Sequence, residues 1–460
     1  MNDWFEAENQ VERAHELYEA GRWEEAESLL REALSLNPYH AEWHFNLGLT
    51  LDASGRFDEA VESFARAFEL STRDAQPAMM AGSSCVRAER YRDAVVWFER
   101  ATEVDPRNVG SFVNRIHAYA RLGDHEQSEV MFYLAQQLDP DYPDAFVELA
   151  DSLLDRGLCD KAVWCLREAA RIDPELPRIQ ARLAEAYART GRHERARQLY
   201  LRELRTDPGD FDTLLDLGEL LLDMNRLAEA GEKFRRVLEI QPDNADAHFN
   251  LGELWEREHA YELAISHLDV VVRLDAEYPG ARRRLASLLL DHGIDGDSSR
   301  IRDLLLREAA WFRRDDGAFS AEETEELGGL LLDAGLPGDS VRVFRRLAQL
   351  RPNSVRAHHD LSVALFEVGN LSGGIEEARR ALRLDPRFVP AMYNMAFACM
   401  QRRQWRRARY WIHQARTVDS DDPSVRRLLL LLRLHTAMEI IDWTGCVLLR
   451  RRRRRPRAMR

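Results

Sequence analysis

The chain is 460 residues long, 31% charged and 45% apolar, with a formal net charge of −14 at pH 7. It carries ample apolar surface for a continuous core and no strand-like alternation of useful length, which excludes a β-rich fold. An acidic body also argues against nucleic acid as a partner.

The N-terminal stretch MNDWFEAENQVERAHELY is acidic and amphipathic, without a basic segment or an apolar run, so no signal peptide is expected. From about residue 7 a 34-residue pattern sets in, restarting at 41, 75, 109, 143, 177, 211, 245 and 279. In the copy from Ala41 it reads Leu47, Gly48, Leu51, Gly55, Ala60, Phe64 and Ala67; in the copy from Ala245 it reads Leu251, Gly252, Trp255, Ala264 and Leu268. Apolar residues at positions 4, 7, 8 and 11 of each repeat share one helical stripe, and those at 20, 24 and 27 share another, so each repeat is expected to fold as two helices. Small residues at position 8 (Gly48, Gly82, Ala150, Gly218 and Gly252 among them) and alanine at position 20 (Ala26, Ala60, Ala94, Ala162) let the two helices approach closely. Glycines such as Gly21, Gly55 and Gly123 mark the turn after the first helix, and prolines such as Pro38, Pro106 and Pro140 at position 32 end the second.

The register slips once. The segment HGIDGDSSRIRDLLLREAAWFRRDDGAFSAEE runs about eight residues over the rule and lacks the small residue at position 20, which predicts a degenerate repeat over 279–320 with a long loop around Gly293–Arg300. Regular repeats resume at 321, 355 and 389. Beyond them, Leu428–Leu449 has the length to cross a bilayer but contains Arg433, His435, Glu439 and Asp442, each costly at a membrane centre. Residues 423–449 are therefore expected to form a capping helix over the last repeat, followed by an arginine-rich tail over 450–460.

About twelve such units in register resemble the tetratricopeptide repeat (TPR) family. The resemblance implies an all-α, right-handed α-solenoid, with regular repeats over 7–278 and 321–422. It also implies a concave groove lined by positions 2, 5, 6, 9, 12 and 13 of the first helices. On this chain those positions are apolar near the N-terminus (Phe45, Leu49, Met79, Met80), acidic in the middle and aromatic near the C-terminus (Phe366, Tyr393, Phe397). Position 9 holds Asp151, Glu185, Glu219 and Glu253 in four successive repeats; the acids counted over this stretch number twelve, against the four arginines Arg178, Arg182, Arg189 and Arg257. Such a concavity attracts a basic ligand. Position 6 holds Asn46, Asn114, Asn250 and Asn394, whose amides can pair with a peptide backbone. The family's clamp for a C-terminal carboxylate is not matched, since Val11, His15, Gln76 and Met80 stand at its sites.

No phosphate-binding GxxxxGK[ST], no GxGxxG after a strand and no HExxH is present; His40 and His44, or His358 and His359, do not share a helical face. The chain is thus expected to be a non-catalytic protein–protein interaction scaffold without metal or cofactor. Cys85, Cys159, Cys165, Cys399 and Cys446 have no CxxC spacing and read as thiols of a reducing compartment, the cytoplasm. The alternative is a membrane-associated assembly or secretion factor, docked through its C-terminal segment and arginine tail.

Overall fold

A computed structural model describes residues 2–293 and 298–419 and, beyond them, Pro423, Arg426, Arg427, Leu429, Leu430 and Leu432. The expected capping helix and arginine tail therefore lie almost wholly outside the described residues. The described residues form 24 α-helices and one short 3-10 turn, with no strand among them: an all-α solenoid. The chain divides into two compact halves, Met1–Pro242 and Asp243–Arg460.

The N-terminal half carries seven helix pairs: α1 (Asn2–Glu19) and α2 (Trp23–Leu36), α3 (Ala41–Ala53) and α4 (Phe57–Leu70), α5 (Gln76–Arg87) and α6 (Tyr91–Val104), α7 (Val109–Arg121) and α8 (His125–Leu138), α9 (Pro143–Asp155) and α10 (Cys159–Ile172), α11 (Ile179–Arg189) and α12 (His193–Thr206), α13 (Phe211–Asp223) and α14 (Leu227–Ile240). The C-terminal half carries five: α15 (Ala245–Arg257) and α16 (Tyr261–Leu274), α17 (Ala281–His292) and α18 (Ser298–Arg314), α19 (Ala321–Asp333) and α20 (Pro337–Leu350), α21 (Val355–Glu367) and α22 (Leu371–Leu384), α23 (Val389–Gln401) and α24 (Trp405–Val418).

The turn inside each regular repeat is left-handed at position 15. Glycine takes it at Gly21, Gly55, Gly123, Gly157, Gly191, Gly335 and Gly369, with φ between 69° and 78°; Glu89, Asn225, His259 and Arg403 take it elsewhere, with φ between 56° and 59°. A side chain in that region crowds its own backbone, and asparagine tolerates it better than glutamate. Glu89→Gly is therefore expected to stabilise by about 0.5–1 kcal/mol and Asn225→Gly by less, read from chemical denaturation. Equal or inverted effects would show that the turn is not strained. The repeat-to-repeat turn has its own fastener: Asp or Asn at position 31 accepts a hydrogen bond from the backbone N–H two residues on, as in Asn37 to Tyr39 (3.2 Å), Asp105 to Arg107 (3.1 Å), Asp139 to Asp141 (3.1 Å) and Asp385 to Arg387 (2.8 Å).

Within a pair, an aromatic ring at position 24 lies on the bare backbone at position 8. A Cβ placed on Gly48 would stand 2.6 Å from the Phe64 ring, and Cβ atoms on Gly82, Gly218 and Gly328 would come under 3.0 Å from Phe98, Phe234 and Phe344. Phe64, Phe98 and Phe234 are fully buried. The histidines at position 4 have structural work too: His44 Nε2 lies 3.0 Å from the Pro38 carbonyl and His358 Nε2 lies 3.0 Å from the Pro352 carbonyl.

The ninth repeat departs from the expectation. Ser298–Arg300 are not loop but the first turn of α18, which extends to 17 residues, and the 3-10 turn Asp316–Ala318 absorbs further length. The helix holds because Ile301, Leu304, Leu305, Ala309 and Phe312 are buried in one cluster with Leu285, Leu289 and Leu327. Ile301 stands where other repeats place a small residue, and Glu308 stands where several place the buried alanine of position 27. Glu308 is completely buried; it accepts from Arg282 Nε at 2.8 Å and from Arg283 Nη1 at 3.4 Å, while Arg283 also reaches Glu323 (2.7 Å) and Glu326 (2.9 Å). Burial pushes the Glu308 carboxyl above its usual range, and the two arginines oppose the push.

Candidate functional site

In the N-terminal half the first helices enclose a cavity of about 550 Å³. His117 and Arg121 come from α7, Glu148, Asp151 and Asp155 from α9, Arg182, Glu185 and Arg189 from α11, and Asp216 from α13, with Arg178 at the α11 N-cap. The 34-residue repeat brings them together, since each stands at position 2, 6, 9 or 13 of its repeat. Arg178 holds a left-handed backbone (φ 56°) directly after Pro177, which shortens α11 at its start.

The carboxylates here are largely engaged. Arg182 Nη1 donates to Asp151 Oδ2 at 2.7 Å across one repeat, Arg189 Nη2 to Glu185 Oε1 at 2.7 Å within a helix, and Arg178 Nη1 to Asp212 Oδ2 at 2.9 Å. Arg178 also comes within 3.5 Å of Asp210 and 3.9 Å of Asp216. His117 Nδ1 sits 3.0 Å from Glu148 Oε2, and that hydrogen bond holds the imidazole above its usual range. Burial raises Asp151, and it pushes Asp216 up to about 6. The lining carries five carboxylates and four guanidinium groups, so it is a mixed-charge cavity and not the uncompensated acidic field that counting acids and bases by position suggests. Among the described residues, Asp155 is the one carboxylate of the five with no hydrogen bond or ion pair.

The rest of the expected acidic row is distributed differently. Glu219, on α13, does not line this cavity. Glu253 belongs to the C-terminal half, where it accepts from Arg257 (2.5 Å) and from Arg284 (3.0 Å); Arg284 also donates to Glu256 at 2.7 Å. Burial works to raise the Glu253 carboxyl, but these two arginines hold it below its usual range. Arg121 and Arg284 are bases absent from the acid–base count by position, although both stand at groove positions of their repeats.

The asparagines do not form one class. Asn46 and Asn114 are half-buried, whereas Asn250 and Asn394 are buried. The Asn394 amide donates to Ser362 Oγ at 3.0 Å and lies 3.3 Å from His359 Nδ1, so it fastens α23 to α21. Phe45 leans on Phe64, ring centroids 5.4 Å apart, at the edge of a core cluster that Leu49 and Met80 also join.

A second cavity, of about 380 Å³, lies in the C-terminal half and joins the three aromatic residues to His359, Val363, Pro390 and Asn394. Tyr393 and Phe397 present parallel rings, 5° apart in plane and 6.4 Å between centroids. Phe366 lies over Gly374, the bare position of its partner helix. Burial, with Arg356 nearby, pushes His359 down to about 4, so the imidazole is neutral at physiological pH.

These features define a class: an all-α helical-repeat protein built from successive helix pairs. A profile of the tetratricopeptide repeat matches residues 11–75, 147–211, 215–282 and 326–387, more than half of the chain. The chain belongs to the tetratricopeptide repeat family. No sequence among curated proteins matches it. Similar solved structures include a thermophilic TPR protein of Thermus thermophilus (24% identity, 40% of this chain and 100% of that one, TM-score 0.36). Others are Pseudomonas aeruginosa pilF (16%, 47% and 100%, TM-score 0.40) and yeast Tom70 (14%, 98% and 99%, TM-score 0.35). Among the described residues, no helix is long and apolar enough to cross a membrane.

Proposed function

We propose that the chain is a non-catalytic interaction scaffold that holds a partner polypeptide on the first helices of its repeats. The observation that carries this reading is the 550 Å³ cavity, drawn from four successive repeats and lined almost wholly from groove positions. A basic side chain of the partner fits it best: it would ion-pair with Asp155, which among the described residues makes no hydrogen bond or ion pair and feels only the field of Arg121, and share Glu148 with His117. The 380 Å³ cavity, with Tyr393, Phe397 and Phe366, offers apolar walls for a second contact. We place this work in a reducing compartment, the cytoplasm, because Cys85 and Cys165 are buried free thiols whose pKa values burial pushes up to about 11 and about 12.

The test titrates an arginine-rich peptide, of the sequence of residues 450–460, against the full chain and its Asp155→Asn/Glu148→Gln variant. Binding should weaken about tenfold in the variant, and with rising salt in both, since exposed charges are screened beyond about 8 Å at physiological ionic strength. Identical affinities for the two proteins would remove this cavity as the basic-ligand site.

A further inference from the structure

A different cavity, of about 380 Å³, opens on the second-helix side of the C-terminal half, between α16 and α18 and floored by α17. Its charged lining is Arg273 and Asp269 from α16, Arg282 from α17, and Arg300, Asp303 and Arg307 from α18. Asp269 is taken by Arg300 and Asp303 by Arg307, the latter pair at 3.0 Å. Arg273 spends its Nε on the Asp269 backbone carbonyl, 3.2 Å away, and has no carboxylate within ion-pair distance among the described residues. Arg282 is only 5% exposed; its Nε is bound to Glu308, while its Nη2 is buried with no hydrogen-bond partner. Counting Glu308 behind Arg282, four guanidinium groups thus meet three carboxylates, and the excess charge rests on Arg273, in a chain whose net charge is −14.

A buried guanidinium nitrogen without an acceptor is costly, and the cheapest remedy is an acceptor supplied from outside. Guanidinium groups pair with oxyanions through parallel N–H···O bonds, a geometry that phosphate and phosphomonoesters match. We propose that this cavity is an oxyanion-binding site that takes a tetrahedral phosphoryl group, with Arg273 and Arg307 at its rim and Arg282 at its base. It is separate from the groove residues of the proposed partner site, and neither reading depends on the other.

The probe is inorganic phosphate, titrated calorimetrically into the full chain at constant ionic strength maintained with sodium chloride. The expected result is saturable binding, weakened about tenfold in the Arg273→Gln/Arg307→Gln variant, as befits the loss of charge-assisted hydrogen bonds at exposed positions. Both arginines are exposed, so the variant keeps its fold, and its helical circular dichroism serves as the check. Arg282→Met/Glu308→Leu provides a second readout, because it removes the basal guanidinium together with its buried partner and strands no charge on either: binding should disappear while α18 stays protected from hydrogen exchange. A neutral peptide bearing one phosphoserine then separates the sources. Tighter binding of the peptide than of phosphate assigns the group to a partner chain, and the reverse assigns it to a free ion; both support the site. No saturation by phosphate beyond the chloride control, or equal affinity in the double variant, overturns it.

Discussion

Replacing Glu308 by alanine should cost about 3–5 kcal/mol, the range for removing one partner of a buried ion pair. The carboxylate is completely enclosed and is the only one bonded to Arg282 among the described residues, so its loss strands a buried guanidinium. Arg283 suffers less because Glu323 and Glu326 remain to it. The effect should be confined to the ninth repeat and its neighbours, since stability in a solenoid is a sum of local and nearest-neighbour contributions. In urea, the C-terminal half should then unfold well before the N-terminal half, and amide protection should be lost first along α18. A triple variant, Arg282→Met/Arg283→Met/Glu308→Leu, should recover much of the loss, because the network's desolvation cost disappears along with its attraction. An unchanged unfolding midpoint for Glu308→Ala would show that the network contributes nothing to holding α18 in place.

The second large effect concerns the bare backbone at position 8. Gly218→Leu should destabilise by about 1–3 kcal/mol or more, because even a Cβ there would come under 3.0 Å from the fully buried Phe234 ring. Gly252→Leu is the milder member of the series. Its Cβ would stand 3.0 Å from Leu268 Cγ, and an aliphatic side chain yields more readily than a clamped ring. Unfolding midpoints in the order parent, Gly252→Leu, Gly218→Leu are the expected result; the reverse order would mean that the ring, not the glycine, adapts.

The fold was legible because one spacing carries it. A regular repeat predicts its helices from Gly48, Ala60 and Phe64 alone, and the observed first helices begin at Ala41, Val109, Pro143, Ala245, Ala321, Val355 and Val389, as the register requires. The ninth repeat was not legible in the same way. Its α18 is held by a different set of apolar residues and by charges that sit 25 and 26 residues apart in sequence, and spacing rules do not describe such pairs. The candidate site was half legible. Position counting brought Asp151, Glu185 and Arg182 to one face, but it treats each charge separately, whereas pairing depends on reach from one repeat to the next. His117 occupies position 9, the position of Asp151 and Glu185, and that coincidence was a usable sign.

The contrast between regular repeats and the ninth bears on how such a chain can lengthen or shorten. Regular repeats keep one register and join through the same kind of turn, so excising 34 residues in register rejoins like with like. The ninth repeat offers no such exchange. Arg283 reaches Glu323 and Glu326 on α19, and Arg314 reaches Glu277 before α17, so both its borders are keyed to particular neighbours. Regular repeats also pair across their borders, as Arg56 does with Glu27 and Arg182 with Asp151, but those pairs are partly exposed, whereas the Arg282–Arg283–Glu308 network is buried, so gain or loss of a repeat costs most through 279–320.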